Sequence, residues 1–457
     1  MKSHCFIANY HLTPLQIALG NRLRAEGVPI VFIAVNQHLY DDIIASGWDR
    51  RCVLYLPFDA TPEDTPFKEV PIKFFDLIAA DRALRFEQDK ALHYLYRSAR
   101  MMMAFFREHS VSFVLSEPTW AHERLAAAIC AQISGMTFLT PFTVRYPQNR
   151  WAFFPNGDQV ELFEVAKQPN FSSSPETSTS TEVLQEGPPS YLRRNNELLA
   201  EARTFRARLS RLGRFITRER IDPRDPTHIQ SRLRTLLIKG GEEINRILYK
   251  VVERTPLSDA LVARPFVLYA LHKQPESSID VLGRYYEDQE VLIHAIWRTL
   301  PTGWRLYVKE HTNAIGDRSP AFYRRVASPP GIELIDECIP IGALMPHARA
   351  VFSVSGTVAY EAAMSGIPSF TFAPMFFNAF PSCNRITVDD LREAEDIAAL
   401  IPSTQHASEH KIESILSRVE AQSFPGRFTD VVTDPHVLDA ENLDKLVRGF
   451  LMLDQNF

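Results

Sequence analysis

Lys309, His311, the triplet Ser355-Gly356-Thr357 and Glu361 are residues whose types and spacing could bind a phosphate ester and help it react. A Ser-Gly-Thr turn that opens a helix offers backbone N–H groups and the positive end of the helix dipole to an anion. Ser and Thr are equally ordinary N-caps, so a capped helix without a ligand is the other reading of the triplet. His311 can donate a hydrogen bond or a positive charge to a phosphate or a leaving group. Side chains alternate along a strand, so Lys309 shares the direction of His311 and Glu310 does not. Glu361 lies four residues after Thr357, one turn on and on the same helix face. A carboxylate there is badly placed for phosphate and well placed to accept from ribose hydroxyls. Its alternative is a helix-start charge held by the dipole. Phosphate on the turn and ribose on the glutamate describe a nucleotide.

The elements that must position these groups are legible around them. "AVFSV" reads as a short buried strand, "VAYEAAMSG" as a helix closed by Gly366 and Pro368, and "SFTF" as the next strand. That order is a right-handed βαβ crossover. Two more strands of the same region end in polar residues, "LYALH" in "KQPESS" and "LYVKE" in "HTN". Ligands of open α/β sheets bind beyond the carboxyl ends of the strands, so three polar ends on one edge favour a ligand site over simple capping. "PFVLYALH", "WRLYVKEH", "IELID" and the helices between them give a doubly wound domain over 255–395. "HCFIAN", "PIVFIAVN", "VSFVLSEPTW" and "MTFLTPF", alternating with helical segments, give another over 1–155. Between them, 156–254 reads as a flexible loop ("SSSPETSTSTE") and a helical connector, and 396–457 as C-terminal helices. Arg203–Arg234 carries ten Arg against three acidic residues. It is either a solvated connector or a surface facing anionic acceptor or phospholipid head groups. The Met101–Met103 run reads as core filling.

Composition narrows the class. A chain of 457 residues with net charge −5 has room for two domains and no general drive toward nucleic acid. Its five cysteines are scattered, with no metal-type spacing, which fits a reducing compartment. The opening residues are no signal peptide and no apolar run is long enough to span a bilayer, so a cytoplasmic location is expected.

The ordered motifs "LYALHKQPESSIDVLGRYYEDQ", "LYVKEHTN", "FYRR", "IELID" and "SVSGTVAYEAAMSGIP" resemble the capsule polysaccharide biosynthesis proteins, the group that includes the bacterial β-Kdo transferases. The match covers about 265–378, and the amino-terminal half matches in layout alone. The resemblance implies an α/β, GT-B-like chain: two doubly wound Rossmann-like domains facing a central cleft, with a helical connector. It implies a glycosyltransferase that moves a sugar, Kdo from CMP-Kdo among the candidates, from a nucleotide-sugar donor to a capsule or surface polysaccharide. The acceptor would be an anionic or lipid-linked glycan, with peripheral inner-membrane association and no nucleic-acid partner. The family's nucleotide-binding His motif falls on Lys309-Glu310-His311, with Thr312 where the family has proline. Its phosphate turn falls on Ser355-Gly356-Thr357, its ribose-contacting acid on Glu361, and its cleft-lining segment on Gln274-Pro275-Glu276. In related GT-B enzymes the amino-terminal domain holds the acceptor and contributes a carboxylate. Glu117 of "LSEPTW", after a predicted strand, is the choice for it, with Asp76 and Asp81 weaker and a solvated strand-end charge as the other reading of Glu117. Glu117 or Glu276 would act as base or nucleophile, and His311 with the turn would stabilise the leaving phosphate. No DxD-type acidic pair is present, so no metal or other cofactor is expected. A nucleotide-sugar epimerase or hydrolase of the same fold, and a non-catalytic glycan-assembly partner, are the competing readings.

Overall fold

The computed structural model describes residues 3–59, 65–165, 204, 213, 222–401 and 409–456. The Ser/Thr-rich stretch at 172–182 and most of the Arg-rich stretch from 203 lie outside them. The described residues form two compact units, one up to Arg232 plus Val419–Phe457 and the other Leu233–Arg418. Each is built on a mainly parallel sheet, so the expected pair of doubly wound α/β domains is present.

In the first unit β1 (Ser3–Ile7) lies mid-sheet, and the chain moves outward to β2 (Ile30–Ala34) and β3 (Val53–Tyr55). It then crosses to the other side of β1 to place β4 (Val111–Leu115) and β5 (Thr137–Val144), all parallel. β6 (Arg150–Pro155) returns antiparallel to β5. The second unit repeats the plan. From β7 (Phe266–Ala270) the chain runs to β8 (Arg305–Lys309) and β9 (Ile332–Ile335), then back across to β10 (Ala350–Ser353), β11 (Ser369–Thr371) and β12 (Cys383–Arg385). The central strands are buried end to end, as parallel strands covered by helices on both faces must be. Within the described residues the long strands and helices read from the sequence are found near their expected places, while most of the helical pattern from Tyr191 to Arg232 lies outside them. β3 and β12 were not anticipated, because three-residue edges such as "VLY" and "CNR" carry too little pattern to read, and the six-residue hairpin strand β6 was missed as well.

The chain finally returns to the first unit. β13 (Phe424–Pro425) adds antiparallel to β6, and the helix Ala440–Leu451 lies against the helix Thr13–Ala25. Fully buried Trp151 is the keel of this dock, its ring centroid 5.1 Å from those of Phe424 and Phe450 and 5.5 Å from that of Phe428. A β-carbon on Gly449 would sit 2.6 Å from the Trp151 ring, so only glycine lets the helix approach this closely. Phe450→Ala should therefore lower the unfolding free energy of the first unit by about 3–5 kcal/mol, the range for emptying an aromatic core position. Denaturant titration followed by tryptophan fluorescence reads it; a loss below about 1 kcal/mol would mean that the tail does not brace this unit.

Candidate functional site

The sheet of the second unit changes winding direction between β7 and β10, and in open α/β sheets ligands bind beyond the carboxyl ends of the strands at such a point. His272, two residues past β7, is buried there. The amides of Val354 and Ser355 both donate to its Nε2 at 3.2 Å, and the Ser353 hydroxyl lies 2.9 Å from the same nitrogen. A nitrogen that accepts two backbone N–H groups carries no proton, so the ring is neutral with its hydrogen on Nδ1. Burial first, then the neighbouring His311 and Arg318, push its pKa down to about 3, in keeping with that assignment. Ser353 Oγ also accepts the Gly356 amide at 3.1 Å, and Ser355 Oγ donates to the Ser278 carbonyl at 2.6 Å. A β-carbon on Gly356 would meet Ser353 Oγ at 2.5 Å.

These bonds qualify the expectation that the whole Ser355-Gly356-Thr357 turn offers free amides. The amides of Val354, Ser355 and Gly356 are all engaged inside the unit. An anion expected at this turn would therefore have to meet the helix Thr357–Met364 itself, where the Ala359 amide also donates to the Gly356 carbonyl. Thr357 is exposed and Glu361 half-buried on the outward side of that helix, while Ala359, Tyr360, Ala362 and Ala363 form its buried side. The glutamate is thus not a core residue.

At the end of β8 the strand alternation decides the roles. Glu310 is buried on the face of Leu306 and Val308, where two Arg318 contacts of 2.9 Å, the Tyr323 hydroxyl at 2.7 Å and the His311 amide at 2.7 Å satisfy it. Arg318 extends the chain of bonds to the His272 carbonyl, and Gln289 holds the amide and carbonyl of His272 at 2.8 and 3.2 Å. Lys309 is buried, and its ammonium donates to the Glu337 carbonyl at 3.0 Å, bracing β8 to the end of β9. Desolvation lowers its pKa, with Glu337 and Glu310 opposing. The ammonium expected beside His311 is thus committed to a structural bond. His311 itself is exposed. Its Nδ1 accepts the Asn313 amide at 3.1 Å, which leaves the proton on Nε2. Desolvation lowers its pKa, with the charges of Glu276 and then Glu310 opposing that shift.

Glu276 accepts from Ser278 Oγ at 3.0 Å. Gln274 donates to the Glu287 carbonyl and accepts from Gln289, both at 3.2 Å, so its amide shapes the loop. Among the described residues, Asp336, Glu337 and Cys338 cluster closely enough to be considered for a metal, but Arg254 and the Tyr249 hydroxyl already engage the Glu337 carboxylate.

The first unit has its own switch point between β1 and β4. Half-buried Glu117 follows β4 there. Behind it, Glu123 is fully buried and accepts from Asn9 at 2.9 Å, Ser116 at 3.2 Å, and the amides of Thr119 at 2.6 Å and Trp120 at 2.9 Å. Burial, more than the nearby Glu117 charge, pushes its pKa up to about 8. Asp81 caps the turn at Ala83 and Leu84 and accepts the Ala121 amide, all at 2.8 Å, and Asp76 pairs with Arg124 at 2.9 Å. Both weaker candidates are therefore structural. His272, Arg318, Tyr323 and Glu123 were not singled out from the sequence. His272 carried a usable signal, as the last residue of "LYALH" at a strand end.

No protein-family model and no curated protein matches the chain. Among solved structures it is similar to the β-Kdo 2,7 transferase KpsC of Thermosulfurimonas dismutans, with 9% identity, 99% of this chain and 100% of that chain covered, and a TM-score of 0.37. It is also similar to UDP-GlcNAc 2-epimerase of Methanocaldococcus jannaschii in complex with UDP-GlcNAc and UDP (9% identity, 92% and 99% covered, TM-score 0.29). A third is MurG of Acinetobacter baumannii (11% identity, 96% and 99% covered, TM-score 0.29). At identities and scores this low the likenesses carry no argument for activity.

The His272 geometry fixes a pH response. Its folded pKa lies below the unfolded value, so the stability it contributes is present above about pH 6.5 and is lost as pH falls toward the folded value of about 3. Over that window the parent should lose up to about 1.4 kcal/mol per pH unit through this group. His272→Gln should start less stable by about 1–3 kcal/mol at neutral pH and show a shallower acid slope. Denaturant unfolding across that pH range measures both. Parallel slopes in the two proteins would contradict the acceptor role.

Proposed function

We propose that this chain is a GT-B glycosyltransferase that moves a sugar from a nucleotide donor to a growing surface glycan. The observation that carries the reading is the preorganised loop set at the β7–β10 switch point, where neutral His272 holds the turn before the helix Thr357–Met364 and the charge of Glu276 acts on His311. In this reading the donor phosphates sit at the start of that helix and Glu361 accepts from the ribose hydroxyls. The acceptor hydroxyl attacks the anomeric carbon as the bond from that carbon to the phosphate oxygen breaks. The leaving nucleotide keeps the electron pair, and its charge is met by His311 and the helix start. The hydroxyl proton passes to a carboxylate, Glu117 in the first instance and Glu276 as the alternative. The capsule-family motifs support a Kdo donor and an anionic or lipid-linked glycan acceptor.

Turnover should need acceptor as well as donor. Donor consumption without acceptor would replace this reading with an epimerase or hydrolase, and nucleotide binding without turnover would leave an assembly partner. His311→Ala should stay folded and lower turnover by about 10²-fold or more. Full activity in that folded variant would remove His311 from the site. Glu361→Gln should weaken nucleotide binding by about 1–3 kcal/mol in calorimetry while costing the unliganded protein little. Unchanged affinity with a stability loss of about 0.3–1 kcal/mol would mark Glu361 as a helix-start charge only.

A further inference from the structure

The helix Arg232–Tyr249 wears its amphipathicity inside out. Its inward side is anchored by Tyr249, which is buried in the second unit, and by Arg246 and Asn245, which donate to the carbonyls of Ile315 and Gly316 at 3.1 and 3.3 Å. Its outward side is apolar. Leu233 is 68% exposed, Leu237 67%, Ile244 59%, Ile247 65%, Leu248 43% and Val251, just past the helix, 81%. At 3.6 residues per turn these six fall within one stripe running the length of the helix. An apolar surface this continuous and this exposed marks an interaction face.

Charge identifies the occupant. From Arg232 to Lys250 there are five basic residues, Arg232, Arg234, Lys239, Arg246 and Lys250, against the two acids Glu242 and Glu243. Helical spacing sets Arg232, Lys239 and Lys250 along one margin of the stripe and Arg234 along the other. The sequence leading in, with ten Arg against three acidic residues over Arg203–Arg234, has the same sign. A second copy of this helix laid on the stripe would bring two basic margins together. An anionic bilayer surface would take the apolar side chains between its lipids and the basic margin at its head groups, the arrangement of an in-plane interfacial helix. No helix of the described residues is long and apolar enough to cross a membrane.

We infer that the outward face of Arg232–Val251 docks the protein on an anionic lipid surface. This face carries none of the residues placed at the nucleotide site, so the two can fail independently. The full chain is to be co-sedimented with vesicles of phosphatidylcholine and phosphatidylglycerol in equal parts, and with vesicles of phosphatidylcholine alone. Binding is expected to the mixed vesicles and to weaken with salt. The combined substitution L237Q, I244Q and I247Q changes exposed side chains only, should leave the melting temperature in place, and should weaken binding by about tenfold or more. K239Q with K250Q should weaken it further at low salt than at high salt. Three results would overturn the inference: no binding of the parent to the mixed vesicles, equal binding by the apolar triple variant, or a parent dimer in sedimentation that the triple variant splits. None of the three would touch nucleotide binding, which is read separately by calorimetry.

Discussion

The second unit is organised around one uncharged imidazole. His272 accepts the amides of Val354 and Ser355, and this ties the exit of β7 to the exit of β10 where the sheet reverses its winding. A protonated ring could not do this, since a second N–H would point at two donors. Everything around it serves to keep the ring buried and oriented. Gln289 clamps its backbone on both sides, and Arg318 reaches its carbonyl while pairing with Glu310. That ion pair is almost wholly removed from water, and such pairs are tolerable when hydrogen bonds complete both partners. Tyr323 and the His311 amide complete Glu310. Three strand ends thereby become one rigid edge.

This rigidity bears on function through the position of the helix Thr357–Met364. Its preceding amides are engaged by the protein, so the helix start is held in place before any ligand arrives. A preformed cradle for a leaving group costs little reorganisation when charge develops on it. The exposed Thr357 and half-buried Glu361 share the outward side of that same helix, which is what phosphate and ribose recognition would ask of them. In the first unit Glu123 plays a comparable organising part, with its carboxylate gathering the loop that carries Glu117.

Much of this was legible in the sequence, and the reason is physical. Fully apolar runs such as "FVLYA" and "VSFVL" can only be strands covered on both faces, and their alternation with helical segments left one kind of architecture. The polar strand ends marked the edge of the second sheet where the bonds of His272, Glu310 and Arg318 gather. What could not be read was how those polar groups pair. Lys309 looked like a partner for His311 because alternation puts the two in one direction, yet a nearby carbonyl at Glu337 takes its ammonium. Arg318 meets Glu310 across a turn of irregular backbone, and His272 meets residues about eighty positions away. Such contacts depend on loop geometry, and no periodicity records them. The same holds for Asp76 and Asp81, whose structural bonds to Arg124 and to the Ala83, Leu84 and Ala121 amides had no sequence signature.

The central claim is that the helix start held by His272 is the phosphate seat of a nucleotide site. Hydrogen exchange read by mass spectrometry, with and without CMP, UDP, GDP and CDP in turn, addresses it most directly. One of these nucleotides should slow exchange in the peptides spanning 355–361 and 311–314, with Gly356→Ala abolishing the effect. Protection confined to other segments, or no protection with any of the four at saturating concentration, would contradict it.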